Sequence, residues 1–73
     1  MDKEEKAQFI NELGELLAKY RINNIERMGY RLDILGDETL FIHYEDEYVK
    51  KINIKFDSLS AIIKDIVKQG GLD

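Results

Sequence analysis

Residues 39–44, Thr-Leu-Phe-Ile-His-Tyr, form the densest β-branched and aromatic run in the chain. Turn-forming and acidic residues flank it, Gly36-Asp37-Glu38 before and Glu45-Asp46-Glu47 after. Such a run between turns reads as the middle strand of an antiparallel meander. The segments on either side must supply its two neighbours, and what remains at the chain ends has helical spacing.

At the N-terminal end, Phe9, Ile10, Leu13, Leu16, Leu17 and Tyr20 recur at steps of three and four. That spacing predicts a helix from Lys3 to Tyr20 or slightly beyond, with these six on its apolar face. Asp2 followed by Glu5 resembles a capping box, and Asn23-Asn24 tolerates the left-handed conformation that ends helices. Gly14 lies inside this helix, beside a thin stripe made with Ala7 and Ala18. Two readings stay open for it: a tolerated glycine, or close approach of another backbone, from the second helix or a partner subunit. At the other end, Asp57-Ser58 supplies an N-cap. Leu59, Ile62, Ile63, Ile66 and Val67 give a second amphipathic helix that Gly70-Gly71 terminates.

Between the helices, Ile25 to Gly29 reads as a connector and Tyr30 to Leu35 as the first strand. Tyr30, Leu32 and Ile34 alternate there with Arg31, Asp33 and Leu35. Sharing a face with Leu40, Ile42 and Tyr44 requires a loop with an odd number of residues. The three-residue loop Gly36-Asp37-Glu38 pairs Ile34 with Leu40, Leu32 with Ile42 and Tyr30 with Tyr44. The third strand spans Tyr48 to Phe56, with Ile52, Ile54 and Phe56 on the core side and Val49, Lys51, Asn53 and Lys55 opposite. The expected fold is α+β, in the order α-β-β-β-α: one domain over residues 1–73 with both helices packed on one face of a three-stranded antiparallel sheet.

The other face is then the place to look for function. It would carry Arg31, Asp33 and Leu35, then Phe41 and His43, then Val49, Lys51, Asn53 and Lys55. Apolar groups left uncovered and ringed by charge mark an interaction surface, so Leu35, Phe41, His43 and Val49 are the expected partner-binding residues. His43 is the one histidine of the chain, and it lacks a nucleophile to serve. Ser58 and Ser60 read as helix-start residues and Thr39 as a strand former. Glu45-Asp46-Glu47 lacks the alternating oxygens, central glycine and distal glutamate of a calcium loop. No glycine-rich segment joins a strand to a following helix as a phosphate loop requires. No catalytic, cofactor or metal site is therefore expected.

Composition narrows the partners. A chain of 73 residues with no cysteine and one histidine has no disulfide or thiolate metal site to reinforce a small core, which leaves self-association, expected as a homodimer. A net charge of -4 opposes nonspecific attraction to nucleic acid or anionic membranes. The charged N-terminus has no apolar h-region behind it and no apolar run reaches membrane-spanning length, so a cytoplasmic location is expected.

In size, acidic balance, Lys/Glu/Ile/Asn-rich composition and helix–meander–helix order, the chain resembles small accessory proteins carried by prophages of low-GC Gram-positive bacteria. The resemblance implies a factor that binds and modulates a host or phage protein, and it transfers no site residue. The leading expectation is a non-enzymatic module that self-associates or docks a protein through its outer sheet face. One alternative is an acidic nucleic-acid mimic using Glu45, Asp46, Glu47, Glu12 and Glu15 against a basic groove. The other is a weak nucleic-acid binder in which Arg31, Lys51 and Lys55 flank Phe41, the pairing of cations and aromatics used by sheet-based RNA binders.

Overall fold

The computed structural model describes residues 2–54 and 58–72. The Phe56, Lys55 and Asp57 expectations lie outside the described residues. Helix α1 runs Lys3–Lys19 and helix α2 Leu59–Gly70, with strands β1 Ile25–Leu32, β2 Glu38–Tyr44 and β3 Val49–Ile54 between them. The strands form one antiparallel sheet in the order β1-β2-β3. Both helices lie against a single face of it: Ile10 of α1 and Ile62 and Ile66 of α2 join Ile25, Met28, Leu40, Ile42, Ile52 and Ile54 in one buried core. The expected α+β meander is the fold observed.

Local chemistry sets the element ends. The Asp2 carboxylate accepts from the Glu4 N–H at 3.1 Å, so the N-cap bond goes to the second helical residue. Helix α1 closes at Lys19, and the first left-handed residue is Arg21 (φ 54°), ahead of Asn23 (φ 49°) and Asn24 (φ 59°). Ser58 caps α2 by accepting from the Ala61 N–H at 3.2 Å, and Gly71 (φ 74°) ends it in the left-handed region. The Asn23 amide donates to the Gly71 carbonyl at 2.7 Å, tying the two helix ends together.

Two expectations about the first hairpin are corrected. Ile25 to Gly29 is strand, not connector, and Tyr30 rather than Ile34 faces Leu40, a slip of four residues. The loop is odd, as the faces demand, but it holds residues 33–37 instead of 36–38. An even slip preserves the parity of the residues that stay in the sheet, which is why Tyr30, Leu40 and Ile42 still share the core side. The turn's own chemistry explains its position. The Asp33 carboxylate accepts from the N–H groups of Leu35 (2.8 Å) and Asp37 (2.9 Å), and Gly36 takes φ +90°. Ile34 and Leu35 thereby leave the sheet for the turn, and Glu38 leaves the turn to become the first residue of β2.

Gly14 is a site of close backbone approach, and the approaching backbone is β1. A Cβ there would lie 2.6 Å from the Met28 nitrogen. This contact centres the buried line of α1 on Lys6, Ile10 and Gly14. Leu16 (52% exposed) and Tyr20 (63%), expected on the buried face, are consequently turned into solvent.

Candidate interaction face of the sheet

The face of the sheet opposite the helices is built in three rows by the strand register. Arg27, His43 and Val49 form one row; Gly29, Phe41 and Lys51 the middle one; Arg31, Thr39 and Asn53 the third. Three of the four expected partner-binding residues, Phe41, His43 and Val49, are therefore on one surface. Leu35 is not: it stands in the β1–β2 turn, 83% exposed. Asp33 is absent from the face as well, because its side chain is spent inside that turn. His43 thus has Arg27 and Val49 as cross-strand neighbours, with Lys51 on the diagonal and Asp33 out of reach.

Sequence reasoning missed Arg27 and Gly29. Their signal was a period-two alternation running back from Arg31, in which Met28, Tyr30 and Leu32 face inward. A bulge interrupts it: the register shifts between Ile25 and Arg27, so Ile25 and Met28 both reach the core across an extra residue. The three-residue spacing of two buried side chains disguised the strand as a connector.

The electrostatics of this face differ from those of the whole chain. Among the described residues the sole ion pair is Lys6–Glu38, so Arg27, Arg31 and Lys51 have no carboxylate partner there. The Lys51 ammonium sits 6.0 Å from the Phe41 ring centroid, within cation–π range. Beside that ring, Gly29 leaves a gap, since a Cβ there would meet nothing within 4 Å. The face is thus a small basic island around a half-buried ring with an open notch next to it. Acid bounds it at both ends of the strands: Asp33 and Asp37 at one, and Glu45, Asp46 and Glu47, with Glu26 of the bulge, at the other.

The second polar constellation lies on the core side of the same strands. Lys6, only 2% exposed, donates to both Glu38 oxygens at 2.9 and 3.2 Å, and the Tyr30 hydroxyl donates to Oε1 at 2.6 Å. Burial, then the hydrogen bond to Glu38 and its charge, push the Tyr30 hydroxyl up to about 12, with the Lys6 ammonium pulling the other way. Glu38 shares the inward parity of Leu40 and Ile42, the signal that would have placed it; nothing in the spacing marked Lys6 as its partner.

Polar hollows indent the surface of the described residues. One of about 380 Å³ is lined by Asn23, Asn24, Tyr44, Glu45 and Asp46, and one of about 370 Å³ by Gly36, Asp37, Glu38, Asn53 and Ile54. The tyrosine hydroxyl at the first, Tyr44, is raised by its burial and by the charges of Tyr48 and Asp46. No group of three or more His, Cys, Asp or Glu side chains placed to hold a metal occurs among the described residues, and no described helix is long and apolar enough to cross a membrane. Comparison with protein-family models, with curated proteins and with solved structures finds no significant match to this chain.

Proposed function

We propose that the protein is a non-enzymatic, cytoplasmic interaction module that docks protein through the open face of its sheet. The observation that carries this reading is the clustering of Arg27, Arg31 and Lys51, none ion-paired among the described residues, around Phe41 and the Gly29 notch in a chain of net charge -4. Cations left unpaired on one surface favour an occupant that brings carboxylates. A half-buried ring beside a vacant notch favours one that also brings an apolar or aromatic anchor.

Size and boundary favour protein over nucleic acid. A single strand tracking along the face would run from the basic island onto acidic turns at both ends, where each phosphate meets repulsion. A protein segment with one apolar anchor and two or three carboxylates needs the island alone. The same unpaired cations beside an aromatic keep a nucleic-acid reading open to the same experiment.

That experiment is an NMR titration of the ¹⁵N-labelled protein with a short peptide carrying one phenylalanine between glutamates, and in parallel with an oligothymidylate. Peptide-induced shifts at Arg27–Arg31, Thr39–His43 and Val49–Asn53, lost in Arg31→Glu and Phe41→Ala, support protein docking. Tighter binding of the oligonucleotide at those residues transfers the face to nucleic acid. Silence of the face towards both sinks the proposal.

A further inference from the structure

The β1–β2 turn displays two large aliphatic side chains in water: Ile34 is 101% exposed and Leu35 83%. It does so in a fixed shape. Besides the two bonds to the Asp33 carboxylate, the Asp33 N–H donates to the Asp37 carbonyl at 3.0 Å and the Gly36 N–H to the Asp33 carbonyl at 3.1 Å. A turn ordered in advance loses little further freedom when it binds. Asp33 and Asp37 make its flanks acidic, which opposes an anionic bilayer and calls for an apolar seat with a cationic rim. This chain carries such a seat itself, the Gly29 notch beside Phe41 with Arg27, Arg31 and Lys51 around it.

We infer that the occupant of the sheet face is a second copy of the chain, whose Ile34–Leu35 turn seats on the Phe41 row with Asp37 against the facing cations. The inference rests on the docking reading above and names its partner. It is also geometrically closed. Three strand steps lead from Gly29 to Leu32 at the turn's edge, about 10 Å. A two-fold axis across the strands close to Leu32, midway between Gly29 and the turn tip, brings each turn over the other copy's Phe41 row. Both turns are then used in one isologous dimer, and no open chain of copies is left to grow.

The test is light scattering after size exclusion, over about 5 µM to 1 mM, the range in which interfaces below standard size associate. Wild type is expected to pass from monomer to dimer, and Leu35→Asp, altered at a solvent-exposed side chain and so not a folding lesion, to weaken the dimer at least about a hundredfold. Asp37→Arg is expected to weaken it about tenfold, and Asp37→Arg combined with Lys51→Glu to recover most of that loss. A wild type that stays monomeric overturns the inference, as does a dimer indifferent to Leu35→Asp or a charge swap that fails to restore association. The peptide titration separates this failure from failure of the docking reading. A monomer whose face still binds the acidic peptide keeps the face as a docking site and loses only the second copy as its occupant.

Discussion

Replacing Gly14 with alanine tests the packing on which the whole helical layer rests. A methyl group at that position would stand 2.6 Å from the Met28 nitrogen, 2.8 Å from its Cβ and 3.2 Å from its Cα. Ordinary carbon contacts lie at about 3.5–4.0 Å, so α1 and β1 must part locally by about 1 Å. Backbone atoms cannot rotate aside, and forcing such overpacking costs about 1–3 kcal/mol. Alanine returns about 0.5–1 kcal/mol through its better helix propensity. The expected net loss is roughly 0.5–2 kcal/mol, and each kcal/mol lowers the melting temperature by about 4–8 °C in a domain this small. Gly70→Ala is the internal control. Its Cβ meets the Ile42 Cδ1 at 3.2 Å and the Ile66 Cγ2 at 3.8 Å, and the first is the end of a flexible side chain that can yield by a few tenths of an ångström. That variant should fall within about 0.5 kcal/mol of wild type. Urea titrations followed by circular dichroism give both values. If Gly14→Ala were as stable as wild type, the close approach of α1 to β1 would be refuted.

Other substitutions probe separate links. Glu38→Gln removes the carboxylate from an ammonium that is 2% exposed and should cost roughly 2–3 kcal/mol; adding Lys6→Met should recover part of that, since neither buried charge then remains, and an unchanged double-mutant stability would argue against the pair. The Tyr30 hydroxyl, held up to about 12, keeps its proton in the folded chain at pH values where the unfolded chain has lost it. Stability tied to it is complete below about pH 10 and lost as pH rises towards 12, so Tyr30→Phe should flatten alkaline unfolding there, with a late component disappearing from the tyrosinate absorbance titration. Glu47, at φ 72° in the β2–β3 turn, bears the left-handed penalty of a side chain, and Glu47→Gly should raise stability by about 0.5–1 kcal/mol in thermal melts.

Much of the candidate site was readable from local pattern, and what was not has identifiable causes. Phe41, His43, Val49 and Lys51 were placeable because β2 and β3 alternate cleanly and period two admits one assignment of faces. Arg27 and Gly29 were hidden by the bulge, which breaks that period at the place where a reader of spacing relies on it. Leu35 was misplaced because its alternation with Ile34 continues that of β1. The Asp33 carboxylate opens the turn three residues earlier, ending β1 at Leu32, by capturing amides that a longer strand would have paired.

Sequence alone determined the element types, their order, the odd parity of the first hairpin loop and the choice of core face. Each of these follows from the spacing of apolar side chains over a few residues, where one period or the other must hold. Only the tertiary structure decided the register, the pairing of Lys6 with Glu38 across the domain, the backbone that meets Gly14, and the segregation of unpaired cations onto one face. Those depend on which strand residues oppose each other and on how closely a helix settles on the sheet. Such distances between segments remote in sequence leave no periodic trace in the chain itself.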